Sequence, residues 1–421
     1  MTKVKNEAEL YIEALADVFG IATTGFEEFH KQAKEKANGY SSTAASSGNS
    51  STAASSGYSS KAASSGDYST AASSGDYSTA ASSGNSSTAA SSGYSSTAAS
   101  SGNYSTAASS GNYSTAASSG NYSTAASSGD SSKAASSGNS STAASSGYSS
   151  TAASSGNYST AASSGDSSKA ASSGYSSTAA SSGNYSTAAS SGDSSKAASS
   201  GNYSKAASSG NYSTAASSGD SSKAASSGKH SACTALGYRA AVKGDLGNLL
   251  MASEYIKNNG KFIPVGGKAD IVDGKKLKAD RWYIVEGGKW VEVDFTDNVF
   301  SRVISVRSGV KKVKTDNGKV LFVVSDTNGN SAHGETIAKA REDLVYKAVA
   351  KFDGIIPKKA TGKEWVGIYR AVTGACAAGI KHFVESTGKS LDDAYTAKQI
   401  VTLVKGQYGA DKFADKIKEA A

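Results

Sequence analysis

Four groups of side chains in this 421-residue chain have types or spacings that could do chemistry. Cys376, in VTGACAAG, could act as a nucleophile with His333 or His382 as its base. A cysteine amid Ala and Gly on a helix is more simply core packing, and that reading is preferred. Asp326-Thr-Asn-Gly-Asn has the first residues of a calcium-binding EF-hand loop. Gly329 is out of place, however, and the twelfth position is Ile337, so a turn is the better reading. The third group is basic: Lys275, Lys276, Lys278 and Arg281, then Lys311, Lys312 and Lys314, beside Trp282 and Tyr283. Such a set suits nucleic acid or another anionic surface. Solvated strand faces are the plainer explanation, and a nucleic-acid partner is not expected. The fourth group is a row of threonines, Thr52, Thr70, Thr88, Thr106, Thr124, Thr142, Thr160, Thr178 and Thr214, regularly spaced and broken once by Lys196. Four histidines and two cysteines show no metal spacing, so no metal and no cofactor is expected.

The threonines belong to a repeat. Glycine falls at 48, 57, 66 and at every ninth position to 228. From Tyr40 this makes 21 unbroken nonapeptides with the consensus (N/D/Y)-(S/Y)-S-(T/K)-A-A-S-S-G. A Ser/Gly-rich segment can be disordered, because it has little apolar surface to bury. A β-solenoid is the alternative, with backbone ladders between stacked units supplying the cohesion. From Tyr40 to Gly228 the array has no proline and never slips register. Paired N–H groups demand the first, and a flexible linker does not need the second. The solenoid is therefore expected.

One nonapeptide makes one strand and one turn, too little for a closed coil. Two nonapeptides make a coil with two faces. Composition agrees: five of the six array lysines, Lys61, Lys133, Lys169, Lys205 and Lys223, sit in odd repeats, and only Lys196 in an even one. Lysine does not point into a thin core, so position four faces out. Position six (Ala) then faces out too, while Ser, Ala and Ser at three, five and seven face in. Glycine at nine and Asn or Asp at one suit a turn with positive φ. Tyrosines at positions one and two are expected to stack along an edge.

The even face would carry the threonine row. A flat uncharged row of this kind can order water, as in some ice-binding solenoids, or fit a crystalline polymer. The plain reading is that Thr is a good strand residue on an exposed face. Ice-binding ladders of that type pair Thr-x-Thr, whereas the second member here is Ala. Calcium-binding nonapeptide rolls need G-G-x-G-x-D-x-U-x. With Asp in only six of the 21 units, calcium is not expected.

The array resembles the tandem STAATSG-type nonapeptide repeats of uncharacterised bacterial and bacteriophage proteins, over residues 40–237. The stretches VDGKKLKADRWYIVEGGKWVEVD and AHGETIAKAREDL also look like segments that accompany such repeats. The resemblance implies a solenoid and no particular activity.

Caps are expected at both ends. Residues 1–39 read as a helical N-terminal cap of two amphipathic helices, Glu7–Gly20 and Thr24–Asn38. KHSACTALG and the following Val242, Leu246, Leu249 and Leu250 would close the other end of a solenoid spanning 40–246. Residues 247–330 read as β-rich, with hairpin turns at Glu286-Gly-Gly and Asp316-Asn-Gly. Residues 331–421 read as helical, the helix over Leu391–Val404 opened by Ser390 and Asp393. The fold class is thus an all-β solenoid with an N-terminal helical cap and a C-terminal α+β domain.

Charge is segregated. Residues 1–39 carry −2, the array zero and residues 229–421 +10. No run is long and apolar enough for a membrane span, and no secretion signal is read at the start. Cys233 and Cys376 could form one disulfide, but a reduced intracellular pair is the plainer expectation. A cytoplasmic or virion-associated location follows. No residue set identifies a reaction, so the chain is expected to be structural or interactive rather than an enzyme. Its expected partner is another protein or a further copy of itself.

Overall fold

The structure is a computed structural model that describes residues 40–347, 356–375 and 377–419. The expected N-terminal helices and Cys376 lie outside the described residues. The chain divides into two compact units, the first ending at Trp290 and the second beginning at Val291.

In the first unit every nonapeptide forms one strand and one turn, beginning with Ser41–Ser47 and Ser50–Ser56. Each strand pairs in parallel with the strand two repeats on. Thr43 lies opposite Lys61, and Thr52 opposite Thr70. One coil is therefore two repeats, and odd and even repeats form separate sheets. About twelve coils stack in this way, each advancing about 4.8 Å.

Burial alternates as strand geometry requires. In Ser50–Ser56, Ser51, Ala53 and Ser55 are buried, while Thr52 and Ser56 are exposed. The interior is a central column of alanines, such as Ala71, Ala80 and Ala89, none of them accessible to solvent. Serine pairs flank it and join the two sheets. The Ser60 and Ser73 hydroxyls lie 2.7 Å apart. Ser60 also donates to the Ser74 carbonyl, and Ser73 to the Ser60 carbonyl. The same arrangement recurs between successive strands, so the buried hydroxyls are hydrogen-bonded and their desolvation is offset. The pattern lapses in the last repeats: Ser213 bonds to Ser231 rather than to Ser226, whose hydroxyl is buried without a partner. Ser222 would reach position 235, but Ala235 stands there, and the Ser222 hydroxyl is buried without a partner.

Position nine is fixed by close backbone approach. Gly120 has φ +144°, and a Cβ there would sit 1.6 Å from the carbonyl oxygen of Gly102, one coil earlier. Only glycine fits.

The turns come in two forms, which the repeat consensus does not announce. From repeat 3 to repeat 16 the position-two N–H donates backwards, as from Tyr68 to the Asn49 carbonyl. From repeat 17 it donates forwards, as from Tyr185 to the Asn202 carbonyl. There position two takes φ near +57°, at Tyr185, Ser194, Tyr203, Tyr212 and Ser221. Positive φ thus falls at the position-nine glycine, as expected, and at position two rather than at the Asn or Asp of position one. Those side chains instead accept a hydrogen bond from the next coil: Asn202 N–H donates to Asn184 Oδ1, and Asn211 N–H to Asp193 Oδ1.

At the C-terminal end the small interior residues give way to Cys233, Val242, Leu250, Val272 and Leu277, all fully buried. Asn248 continues the polar column. Its side chain accepts from Ser231 N–H and donates to the Ser226 carbonyl. Of the expected capping residues, Val242 and Leu250 are buried. Leu249 alternates outward, and Leu246 lies in a turn, 60% exposed.

The second unit contains an antiparallel meander, Ser301–Arg307, Val310–Thr315, Val320–Ser325 and Ser331–Gly334, followed by the helix Ile337–Lys347. Helices Gly362–Thr373, Ala377–Thr387, Ala397–Leu403 and Ala410–Glu419 share a core that includes Trp365, Tyr369, Ile400 and Phe413. The sequence reading of one helix over Leu391–Val404 is corrected here. Residues 394–396 pair with Lys359–Thr361, and the helix begins at Ala397 behind a capping box of Thr396 and Gln399. Asp393 does not cap. Its carbonyl accepts from Gly362 N–H, which holds this stretch extended. Thr361 and Glu364 form the matching box at the other helix.

Two outcomes test this architecture. Gly120→Ala should lower stability by about 2 kcal/mol or more, since positive φ and the carbonyl clash act together; urea unfolding followed by circular dichroism measures it. Deleting 112–129, one coil, should leave the fold intact. Deleting 112–120 alone should not, because every later repeat then changes face and the cap no longer matches its sheet. The two deletions should separate by melting temperature, and equal stability would argue against the two-repeat coil.

Candidate recognition faces of the array

The structure brings the nine threonines into one column. On the even sheet Thr52, Thr70, Thr88, Thr106, Thr124, Thr142, Thr160 and Thr178 lie opposite one another in sequence order, then Lys196 and Thr214. Their spacing is that of neighbouring strands, about 4.8 Å. The position-six alanines form a second outward column and the position-eight serines a third. Threonine and serine thus flank an alanine-floored trough along the sheet. The odd sheet has the same three columns, but five lysines interrupt its position-four column. Lys205 and Lys223 sit directly opposite each other.

Both edges carry tyrosines. Tyr40 stacks on Tyr58, Tyr104 on Tyr122 and Tyr185 on Tyr203, with ring centroids 4.8–5.3 Å apart. Rings that stack on each other present their rims, not their faces, to solvent.

The seven basic residues are divided. Lys275, Lys276, Lys278 and Arg281 lie in the first unit and Lys311, Lys312 and Lys314 in the second. Lys276 pairs with Asp270 at 3.0 Å. Tyr283 is buried, and its hydroxyl accepts from the Lys278 N–H. The Trp282 ring lies beneath the Lys223 and Lys243 ammonium groups. On Val310–Thr315, Lys312 and Lys314 share the exposed side, whereas Lys311 turns the other way, to Asp294 at 2.6 Å.

Burial alone would raise the Asp294 carboxyl, but Lys311 and Thr296 outweigh it and hold it below the usual range. A depressed carboxylate stabilises the fold above its ordinary pKa, and that contribution is lost as pH falls through the lowered value.

The remaining candidates are occupied. His333 Nδ1 is 2.5 Å from an Asp297 carboxylate oxygen, and Lys347 pairs with the same carboxylate. His382 is exposed on Ala377–Thr387. The Asp326 carboxylate accepts from the N–H groups of Asn328 and Asn330 and from the Asn330 side chain. That is a turn, and these bonds, the Asn330 side chain first, lower the carboxyl's pKa. Among the described residues no group of three His, Cys, Asp or Glu is placed to hold a metal ion. No described helix is long and apolar enough to cross a membrane. Cys233 is a free thiol whose burial pushes its pKa up to about 12, so it is not poised as a nucleophile. The helical part of the second unit contains a half-open pocket of about 370 Å³, lined mostly by apolar side chains such as Trp365, Phe383 and Leu403.

Sequence reasoning found the threonine column, because the period and the alternation are both written in the repeat. It missed the apolar end of the even sheet. There Leu236 and Ile271 are 48% and 60% exposed, and Leu249 and Met251 lie half-buried on the same side. The signal was present as large apolar residues on the outward alternation of the last strands. Comparison with protein-family models, curated proteins and solved structures gives no match.

The Asp294–Lys311 pair gives a measurable outcome. Asp294→Asn should destabilise the second unit by about 2 kcal/mol at neutral pH. The difference from the parent chain should shrink in acid, as read by thermal unfolding across a pH series.

Proposed function

We propose that this chain is a structural or interaction protein and that its array is a stiff spacer or fibre-like element presenting or linking the segments at its ends. The observation that supports this most directly is the unbroken register of the coils around an interior of alanines and paired serines. Each coil repeats the last, so the array adds length and rigidity without adding a reactive site. We further propose that the chain has no catalytic activity.

A second reading rests on the threonine column. Its regular spacing and near absence of charge suit an ordered surface such as ice or a crystalline polymer. The alanine column beside it offers no second row of hydroxyls, which is why the spacer reading comes first.

Electron microscopy of the full-length protein should find rods with a straight segment of roughly 55 Å. A shapeless array would overturn the spacer reading. Thermal hysteresis, or inhibition of ice recrystallisation, would instead move the second reading to first place.

A further inference from the structure

The outward side of the even sheet differs from that of the odd sheet in two ways. It has one lysine in ten repeats where the odd sheet has five in eleven. It continues into the exposed apolar residues Leu236 and Ile271. Ten repeat strands at about 4.8 Å, each presenting five residues of about 3.3 Å, offer roughly 800 Å². A stable interface needs about that much from each partner.

We infer that a second copy of this chain packs on this sheet, even face to even face, about a twofold axis at the middle of its ten repeat strands. The inference deepens the structural reading above and rests on it. The geometry is self-complementary. The axis lies between the two faces and runs along the strands, so the two rods are antiparallel. Each column then meets its own kind: threonine meets threonine, hydroxyl to hydroxyl, and alanine meets alanine. Lys196, near one end of the ten strands, falls against the partner's Thr70 near the other, so the two ammonium groups stay far apart. The odd face cannot do this. The same operation there would set Lys133 against the partner's Lys133 and Lys205 against the partner's Lys61.

The repeat itself supplies a mild probe. Lysine already occupies position four at six places, so a Thr→Lys change there is compatible with the coil. The full-length protein should sediment as a dimer at micromolar concentration. Thr124→Lys with Thr142→Lys, the central pair of the ten even repeat strands, should convert it to monomer. Thr97→Lys with Thr115→Lys, on the odd sheet, should leave the dimer intact. Circular dichroism should show all three proteins equally rich in strand. A monomeric parent chain would overturn the inference, and so would a dimer that survives the even-face lysines. A monomer whose even face adsorbs to ice or a crystalline polymer would also overturn it and assign the face to that lattice. Loss of strand signal in the parent chain would mean that the solenoid reading itself had failed, a different outcome from a well-folded monomer.

Discussion

The array depends on one contact made in every turn: the α-carbon of a position-nine glycine against the carbonyl of the glycine two repeats before it. At Gly120 a single added carbon would lie 1.6 Å from that oxygen. Because the approach is so close, the coils cannot separate at the turn to admit a side chain. The pitch is then set by backbone hydrogen bonding alone. The rest follows from that pitch. Strands held one ladder spacing apart place equivalent residues opposite each other, and identical small residues fill the interior. Large apolar residues would not fit so thin a core. Its cohesion comes from paired hydroxyls, which lose little on burial because, up to the last repeats, they find partners across the interior.

This explains what was legible in the sequence. The period, the absence of proline and the parity of the lysines are all consequences of the ladder, so each can be read backwards to it. Thr52 and Thr70 could be placed opposite each other without coordinates, because two repeats are the shortest multiple that closes a coil. The turn inversion could not be read. Asn103 and Asn202 occupy the same position in near-identical repeats, yet the backbone around them donates in opposite directions. The difference lies in what each turn stacks on. In repeats 17–21 position one is always Asn or Asp, and their side chains accept from the next coil. The last position-one tyrosine within the array, Tyr175, has no such acceptor and stands one repeat before the inversion. The acceptors permit the inverted turn; the cap, where Arg239 takes the same positive φ, supplies the first instance.

The second unit was legible in outline and obscure in detail for the opposite reason. Its helices do not repeat, so nothing amplifies a local signal. Ser390 with Asp393 has the spacing of a capping box, and so has Thr396 with Gln399. Local chemistry cannot choose between them. The choice is made by Lys359–Thr361, on the far side of two helices in sequence, whose pairing keeps residues 394–396 extended. Such a contact is invisible to any window short enough to describe a cap.

A rod with an inert interior can recognise partners only through its surfaces, and the repeat leaves few positions free to vary. Positions three, five and seven are committed to the core, and position nine to the turn. Variation falls at one, two and four: two at the edges and one on each face. Position four alone decides whether a face is charged. The distribution of Lys and Thr there is consequently the array's main chemical message. Its segregation by parity gives one coil two unlike sides, a neutral side that can approach another surface closely and a lysine-bearing side that resists such approach. A rod used only for length would have no physical need for that asymmetry.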